Sequence, residues 1–283
     1  MIKKAFVFSL ALALVACGNN STTKTEETKK DTAATPKSAS NGATNDLADF
    51  QFHTLVINIP SPFQIVSELP KCGETFNKAL INPTEKESKY TTSTKKGLNY
   101  GVYVVDLVYL STNEQYSMVK DYFKTSRSLA QSLGCADSFD KIAGSRIEKN
   151  IDKKDTINKV IDQIYTEMDD YLRSNDRLLS ATQILVGSWI ESQYITVSLI
   201  KDETMTDKNK ILYQKVSEQG NTVSKIVELL GQFSADKEFM AIETELKNIQ
   251  AVYKDVKIGS DIDKAKLAKI YDKLNSARGK IVN

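Results

Sequence analysis

The sequence predicts an all-α fold, an irregular multi-helix bundle with a short extended N-terminal arm. Apolar residues recur at spacings of three and four along most of the chain after residue 96, as on one face of a helix. Residues that cap helices and glycines that end them interrupt these runs at helical lengths. No pair of neighbouring strands is indicated after residue 60, so the bundle has to be built from helices alone.

The predicted helices follow one another to the C-terminus. Ser61 and Pro62 are typical of a helix start, and that first short helix is expected to end at Leu69, before Pro70. The later helices are predicted at 97–111, 114–133, 138–149, 155–174, 177–201, 207–219, 222–233, 236–255 and 261–281. Their expected N-caps are Asn113, Ser138, Asp155, Asp176, Asn221 and Ser260, with breaks at Gly134, Gly220 and Gly259.

The extended arm is predicted from Phe50 to Ile59, because its residues alternate imperfectly between apolar and polar and Pro60 ends the run. His53, the only histidine, lies in this arm. One histidine argues against a His-based triad or a His-rich metal site. The sequence therefore assigns no catalytic residue, and no cofactor or metal is expected.

The first residues have the pattern of an export signal. Two lysines precede an apolar run, Ala5 to Val15, that is too short to span a bilayer as a mature helix. The sequence Leu14-Val15-Ala16-Cys17 then resembles a bacterial lipobox, in which the cysteine is lipidated and becomes the new N-terminus. We expect a signal peptide over 1–16 and a palmitate-type anchor on Cys17.

A polar tether is expected to follow the anchor. Residues 18–46 contain no aromatic side chain, so they cannot bury enough apolar area to fold, and they would reach on the order of 30 Å from the bilayer. Gly18, rather than an acid, follows the anchor, which favours the outer membrane, facing the periplasm or the outside. The expected divisions are 1–16, 17–46, a helical core over 47–202, and C-terminal helices over 203–283 that pack on the core or form a subdomain.

The charge balance limits the partners. The formal net charge of +2 falls to zero when Lys3 and Lys4 leave with the signal peptide. A neutral chain gives no electrostatic case for nucleic acid or for recruitment by anionic lipid head groups. The expected partners are the membrane, through acyl chains on Cys17, and an envelope protein or a small ligand.

Two cysteines remain in the mature chain, Cys72 and Cys135. An exported protein permits a disulfide, which would stabilise the fold by roughly 4 kcal/mol for a loop of about sixty residues. The alternative is two buried thiols that never meet, because sequence spacing does not fix the distance between their Cα atoms. The sequence leaves both alternatives open.

Two segments are apolar on every face, and each contains a single charge. The first, residues 97–110, contains Asp106, and the second, residues 184–200, contains Glu191. Each acid is followed three residues later by a tyrosine, Tyr109 and Tyr194, which shares its helical face. A lone buried carboxylate costs several kcal/mol unless it is paired, hydrogen-bonded or protonated. Both acids therefore need partners, and the identity of those partners decides their role.

Two interpretations follow. In the structural one, each acid bonds to a tyrosine, a helix N-terminus or one of four arginines, Arg127, Arg146, Arg173 and Arg177. In the functional one, the acids converge on a polar pocket, where paired carboxylates hold a cation or divide acid and base roles. The candidate ligand-binding residues are then Asp106, Glu191, Tyr103, Tyr109, Trp189 and Tyr194. Small residues in the same segments, Gly97, Gly101, Gly187 and Ser188, are expected to let helix backbones approach closely.

Several blocks of the chain are similar to a known group of sequences. They are Ile59-Pro-Ser-Pro62, Gly97-Leu-Asn-Tyr-Gly-Val-Tyr-Val-Val-Asp106, Asn150 and Gly187-Ser-Trp-Ile-Glu-Ser-Gln-Tyr194. Together they resemble an uncharacterised family of helical bacterial lipoproteins over about residues 50–200. The resemblance implies a helical lipoprotein and carries no activity or ligand with it.

The sequence favours a non-enzymatic lipoprotein that acts as a binding or interaction module in the cell envelope. One alternative is a hydrolase of envelope material that uses Asp106 and Glu191, for which the carboxylates should stand roughly 5–10 Å apart in an open cleft. Another is a structural or assembly role of the C-terminal helices, for which residues 207–281 should expose an apolar patch of several hundred Å².

Overall fold

The computed structural model describes residues 54–56, 58–150, 153–233, 235–257 and 262–283. The expected signal peptide, Cys17, tether and His53 lie outside the described residues. Where the chain is described, its regular elements are all helical and pack as a bundle, so the predicted all-α class is confirmed. The α-helices are α1 (Phe63–Glu68), α2 (Ser93–Thr112), α3 (Tyr116–Ser132), α4 (Ala136–Lys149), α5 (Lys154–Ser174), α6 (Leu178–Ile200), α7 (Lys210–Leu230), α8 (Lys237–Tyr253) and α9 (Lys264–Val282). Short 3₁₀ turns lie at Leu69–Cys72, Lys78–Leu80, Thr84–Lys89 and Gly231–Phe233.

Two predictions about local structure are wrong. The described part of the expected extended arm is a helical turn over residues 54–56, closed by the Asn58 and Ile59 amides, which donate to the Leu55 and Val56 carbonyls. These local hydrogen bonds outweigh the weak alternation of the sequence. The expected break at Gly220 is also absent, because α7 runs through it.

Of Gly134 and Gly220, both expected to end helices, only Gly134 adopts the left-handed backbone of a helix end. Gly134 ends α3 with φ of 69°, as predicted, whereas Gly220 keeps a helical backbone between the buried Val216 and Val223. Burial of the flanking apolar face offsets the cost of about 1 kcal/mol of a glycine inside a helix.

The caps that close the helix starts are mostly other residues than those predicted. Thr92, Asp236 and Asp263 accept hydrogen bonds from the amides three residues later and so cap α2, α8 and α9. Asn113, an expected N-cap, instead terminates α2. The positions of the helices are thus predicted better than their ends.

The centre of the bundle is the pair α2 and α6, which pack more extensively on each other than any other two elements. Small residues bring the two backbones together, as predicted. A Cβ on Gly187 would lie 1.9 Å from the Leu98 carbonyl oxygen, and one on Gly101 would lie 2.3 Å from the Ile184 carbonyl oxygen. Both helices are buried on nearly every side, by α1, α3 and α5 and by the C-terminal α9.

The C-terminal helices pack on this centre. Helix α9 contacts both α8 and α6, and its last carbonyls accept hydrogen bonds from residues near the start of α2. The Asn99 side chain donates to the Ile281 carbonyl at 2.8 Å, and Lys86 donates to the Asn283 side chain at 2.8 Å. No helix of the described part combines the length and the apolar character that crossing a bilayer requires.

Candidate functional site

Asp106 on α2 and Glu191 on α6 meet in the interior of the bundle. Each is fully buried, and the Asp106 carboxyl lies in hydrogen-bonding contact with that of Glu191. Close approach of α2 and α6, which Gly101 and Gly187 permit, is what brings the two side chains together. The acids therefore converge, as the functional interpretation requires, but in a sealed interior with bonding partners, as the structural interpretation requires.

A third residue completes this buried acid cluster, which we define as Asp106, Glu191 and Arg278. The Arg278 guanidinium on α9 donates two hydrogen bonds to the Glu191 carboxylate, from Nε to Oε2 at 2.6 Å and from Nη2 to Oε1 at 2.8 Å. Nη2 also donates to the Leu80 carbonyl at 2.8 Å. Bidentate geometry and additional hydrogen bonds are what a desolvated ion pair needs to offset its loss of hydration.

These surroundings favour the neutral form of Asp106. Burial raises the pKa of its carboxyl well above the usual value, and the charge of Glu191 raises it further, while Arg278 acts in the opposite direction. One Asp106 oxygen accepts from the Asn82 amide at 2.9 Å. The other oxygen has no hydrogen-bond donor among the described residues, and a carboxyl oxygen without a donor can itself carry the proton.

The polar groups of α2 hold a neighbouring segment that lacks long regular structure, residues 77–83. Tyr109 accepts from the Asn77 amide at 3.0 Å, Asp106 accepts from the Asn82 amide, and Tyr103 donates to the Pro83 carbonyl at 2.8 Å. Because buried backbone groups must be hydrogen-bonded, this ladder of side chains accounts for three of the six candidate ligand-binding residues.

The remaining two aromatic candidates also have partners inside the fold. The Trp189 indole donates to the Gln219 side chain at 2.9 Å. The Arg278 guanidinium lies over the Tyr194 ring, with its central carbon 4.4 Å from the ring centre. The Tyr194 ring also stacks on that of Tyr271. The predicted residues around Asp106 and Glu191 thus form internal hydrogen bonds and ring contacts, with no open pocket between them among the described cavities.

Sequence reasoning missed Arg278. The four arginines considered as partners bind elsewhere: Arg127 pairs with Asp140, for example, at the surface. A signal was present, because Arg278 follows Leu274 by four residues and precedes Ile281 by three, which places it on the apolar face of α9. An arginine at such a position needs a buried acid as its partner.

The two cysteines are separate buried thiols, so the disulfide alternative is not realised. Cys135 donates to the Leu133 carbonyl at 3.4 Å and lies 3.8 Å from the Arg177 guanidinium. Cys72 ends a 3₁₀ turn next to Gly73. Burial raises the pKa of both thiols, which disfavours the reactive thiolate at neutral pH.

Two cavities adjoin the Ile59–Pro62 segment where it crosses α6. Larger cavities of about 370 Å³ and 350 Å³ lie beside Phe63 and Val108 and beside Ile81 and Tyr122. On the α5 side the segment closes a cavity of about 190 Å³, which we call the proline cleft. Apolar groups form most of its wall, and two acids, Asp162 and Asp169, also line it. The full lining is Val56, Ile59, Pro60, Ser61, Pro62, Asp162, Tyr165, Thr166, Asp169, Ala181 and Leu185. On the α7 side a smaller cavity of about 60 Å³ includes Trp189 and Gln193.

The two acids of the proline cleft differ in their partners. Asp169 forms an ion pair with Arg173 on the same helix. No described lysine or arginine lies within ion-pair distance of Asp162, whose side chain is exposed at the cleft. An unpaired carboxylate beside an apolar cavity is suited to a ligand that carries a positive charge on an apolar body.

Comparison with protein-family models, with curated proteins and with solved structures gave no match to this chain. The resemblance to helical lipoproteins therefore stays a prediction. Among the described residues, no group of three or more His, Cys, Asp and Glu side chains is arranged to hold a metal ion.

Proposed function

We propose that this protein is a lipid-anchored binding protein of the cell envelope, held in the outer membrane through Cys17, with the proline cleft as its ligand site. The anchor rests on the order of the basic residues, the apolar run and Leu14-Val15-Ala16-Cys17. The single observation that carries the binding function is the apolar proline cleft with the unpaired carboxylate of Asp162 beside it. The ligand class that fits is an ammonium or guanidinium group on a small apolar body.

The size of the cleft limits that ligand. An apolar cavity of about 150 Å³ is enough for a benzene ring. The proline cleft, at about 190 Å³, therefore suits a single ring or a short alkyl chain. An exposed ion pair contributes only about 0–1 kcal/mol, so Asp162 selects the charge of the ligand while apolar contact supplies most of the affinity.

The geometry favours binding over the two alternatives. A carboxylate-pair hydrolase needs an open cleft, whereas Asp106 and Glu191 are sealed from solvent and Glu191 is paired with Arg278. An assembly role through an apolar patch needs exposed apolar area. Ile211, 42 % exposed, is the single large apolar side chain that the described residues leave exposed.

The anchor is tested by metabolic labelling with an alkyne-bearing palmitate in a bacterial host. We expect the label on the wild-type protein and on a Ser21→Ala control, and none on Cys17→Ala. Membrane fractionation of the labelled protein then tests the outer-membrane assignment. Equal labelling of the Cys17 variant would overturn the proposed anchor.

The ligand site is tested with three ring compounds that differ in charge: benzylamine, benzyl alcohol and benzoate. Titration calorimetry should rank benzylamine first, and Asp162→Asn should lower its affinity by about two- to fivefold, the effect of one exposed ion pair. Leu185→Trp, which fills the cleft, should abolish binding of all three. The matched control is Asp155→Asn, an exposed acid on the same helix, which should change nothing. Benzoate binding as tightly as benzylamine, or an equal loss in the control, would refute the site.

A further inference from the structure

Helix α9 concentrates positive charge that the composition of the whole chain conceals. It contains six basic residues and one acid, Asp272. Arg278 is committed to the buried Glu191, which leaves five lysines to face outward. Although the expected mature chain has a net charge of zero, α9 therefore carries an excess of positive charge.

Four of those lysines form one row, which we call the α9 lysine stripe: Lys266, Lys269, Lys273 and Lys280. Their spacings of three, four and seven residues place them within an arc of roughly 60°, along a length of about 20 Å. Lys269, Lys273 and Lys280 are exposed, and Lys266 is half-buried. The ammonium groups thus lie along one side of the helix.

Neighbouring acids balance only part of this row. Lys280 pairs with Glu245 at 2.6 Å, and Lys266 lies 4.0 Å from Asp263. No described carboxylate is within ion-pair distance of Lys269 or Lys273. The middle of the stripe is therefore free to meet an external anion.

The neighbouring helix α8 balances part of this charge, because Glu245 pairs with Lys280 and also attracts Lys273 electrostatically. Its two acids nearest the centre of the helix, Glu243 and Glu245, are buried, and each is already paired with a lysine. No large apolar side chain is exposed on α9. A charged face of this kind can lie on a head-group surface, but it lacks the apolar residues that insert into one.

We propose that the α9 lysine stripe docks the helical body on a bilayer surface that contains anionic phospholipid. A straight row of ammonium groups about 20 Å long matches an extended anionic plane, and each lysine near such a surface is worth about fivefold in affinity. Single-stranded nucleic acid is a poorer match, because the row carries no aromatic side chain on which bases could stack. This docking adds a second attachment to the proposed anchor and does not depend on acylation of Cys17.

The experiment uses residues 18–283, which contain every described residue and lack Cys17. Its failure is therefore separable from failure of the anchor. We expect the fragment to sediment with vesicles of phosphatidylethanolamine and phosphatidylglycerol, and not with phosphatidylcholine vesicles. The association should weaken as salt is raised, because exposed charges are screened.

Charge reversal locates the surface. Lys269→Glu with Lys273→Glu should lower the apparent affinity at least tenfold, and Lys269→Arg with Lys273→Arg should restore it. The control is Lys120→Glu with Lys124→Glu on α3, which makes the same change in net charge at two exposed lysines. Equal loss in the two reversals, or equal sedimentation with both kinds of vesicle, would overturn the proposal. Tighter binding to heparin than to anionic vesicles would also overturn it, in favour of a soluble polyanion.

Discussion

The guanidinium of Arg278 forms two hydrogen bonds with the carboxylate of Glu191, a residue 87 positions earlier in the chain. The Glu191 side chain has no solvent exposure, and that of Arg278 is 12 % exposed. This contact joins the last helix to the central α6, and through the Leu80 carbonyl it also holds the segment 77–83. A single ion pair therefore connects three parts of the chain that are distant in sequence.

Removing one partner of this pair should be costly. Arg278→Met leaves the buried Glu191 carboxyl without its partner, and we expect the free energy of unfolding to fall by about 3–5 kcal/mol. Urea denaturation measures it. The matched control is Arg127→Met, since the Arg127–Asp140 pair is largely exposed and its loss should cost far less.

Removing both partners should be less harmful than removing one. Arg278→Met combined with Glu191→Leu leaves no uncompensated charge, so the double variant should recover part of the stability that Arg278→Met loses. Equal destabilisation in the single and double variants would show that packing of α9, rather than the buried charge, causes the loss. The double-mutant comparison therefore separates electrostatics from shape.

Replacing Asp106 with asparagine should change the stability little, whereas replacing it with alanine should destabilise the fold. Asn at this position still accepts from the Asn82 amide and donates to Glu191, as the protonated acid does, so we expect a change below about 1 kcal/mol for Asp106→Asn. Asp106→Ala leaves the Asn82 amide without an acceptor and should cost about 1–3 kcal/mol. Denaturation of both variants at neutral pH provides the comparison, and an Asn variant as unstable as the Ala variant would mean that Asp106 is charged.

The raised pKa of Glu74 should make the stability of the fold depend on pH. Burial, followed by the charge and hydrogen bond of Glu203, raises the pKa of Glu74 from 4.5 to about 7. Because the folded pKa lies above the unfolded one, the contribution of protonated Glu74 is complete below pH 4.5 and is lost as the pH rises through 7. We expect the Tm of Glu74→Gln to fall less between these values than that of the wild type. The exposed Glu218→Gln should follow the wild-type curve.

Adding a single methyl group at the contact between α2 and α6 should destabilise the fold. Gly187→Ala places its Cβ against the Leu98 carbonyl, so the helices must separate, and we expect a loss of about 3 kcal/mol or more. Gly279 provides the control, since a Cβ there meets nothing within 4 Å. Gly279→Ala should stabilise the fold by about 0.5–1 kcal/mol, because alanine favours a helix interior. Thermal unfolding measures both, and a mild effect at Gly187 would contradict the close packing.

The candidate site shows where prediction from the sequence succeeds and where it stops. Burial of Asp106 and Glu191 could be predicted, because a helix that is apolar on every face has to lie inside the fold. Their common partner could not, because Arg278 lies on a helix whose lysines suggest an ordinary surface helix. The choice between a ligand site and a core cluster depended on that missing partner.

By itself, the sequence determined the all-α class, the positions of most helices, the two central apolar segments and the small residues between them, because periodicity and residue size act locally along the chain. The tertiary structure alone decided that Arg278 pairs with Glu191, that Tyr103 and Tyr109 hold the segment 77–83, and that two cavities adjoin Pro60 and Pro62. Each of these depends on groups far apart in sequence, and their distances are set only when the helices pack.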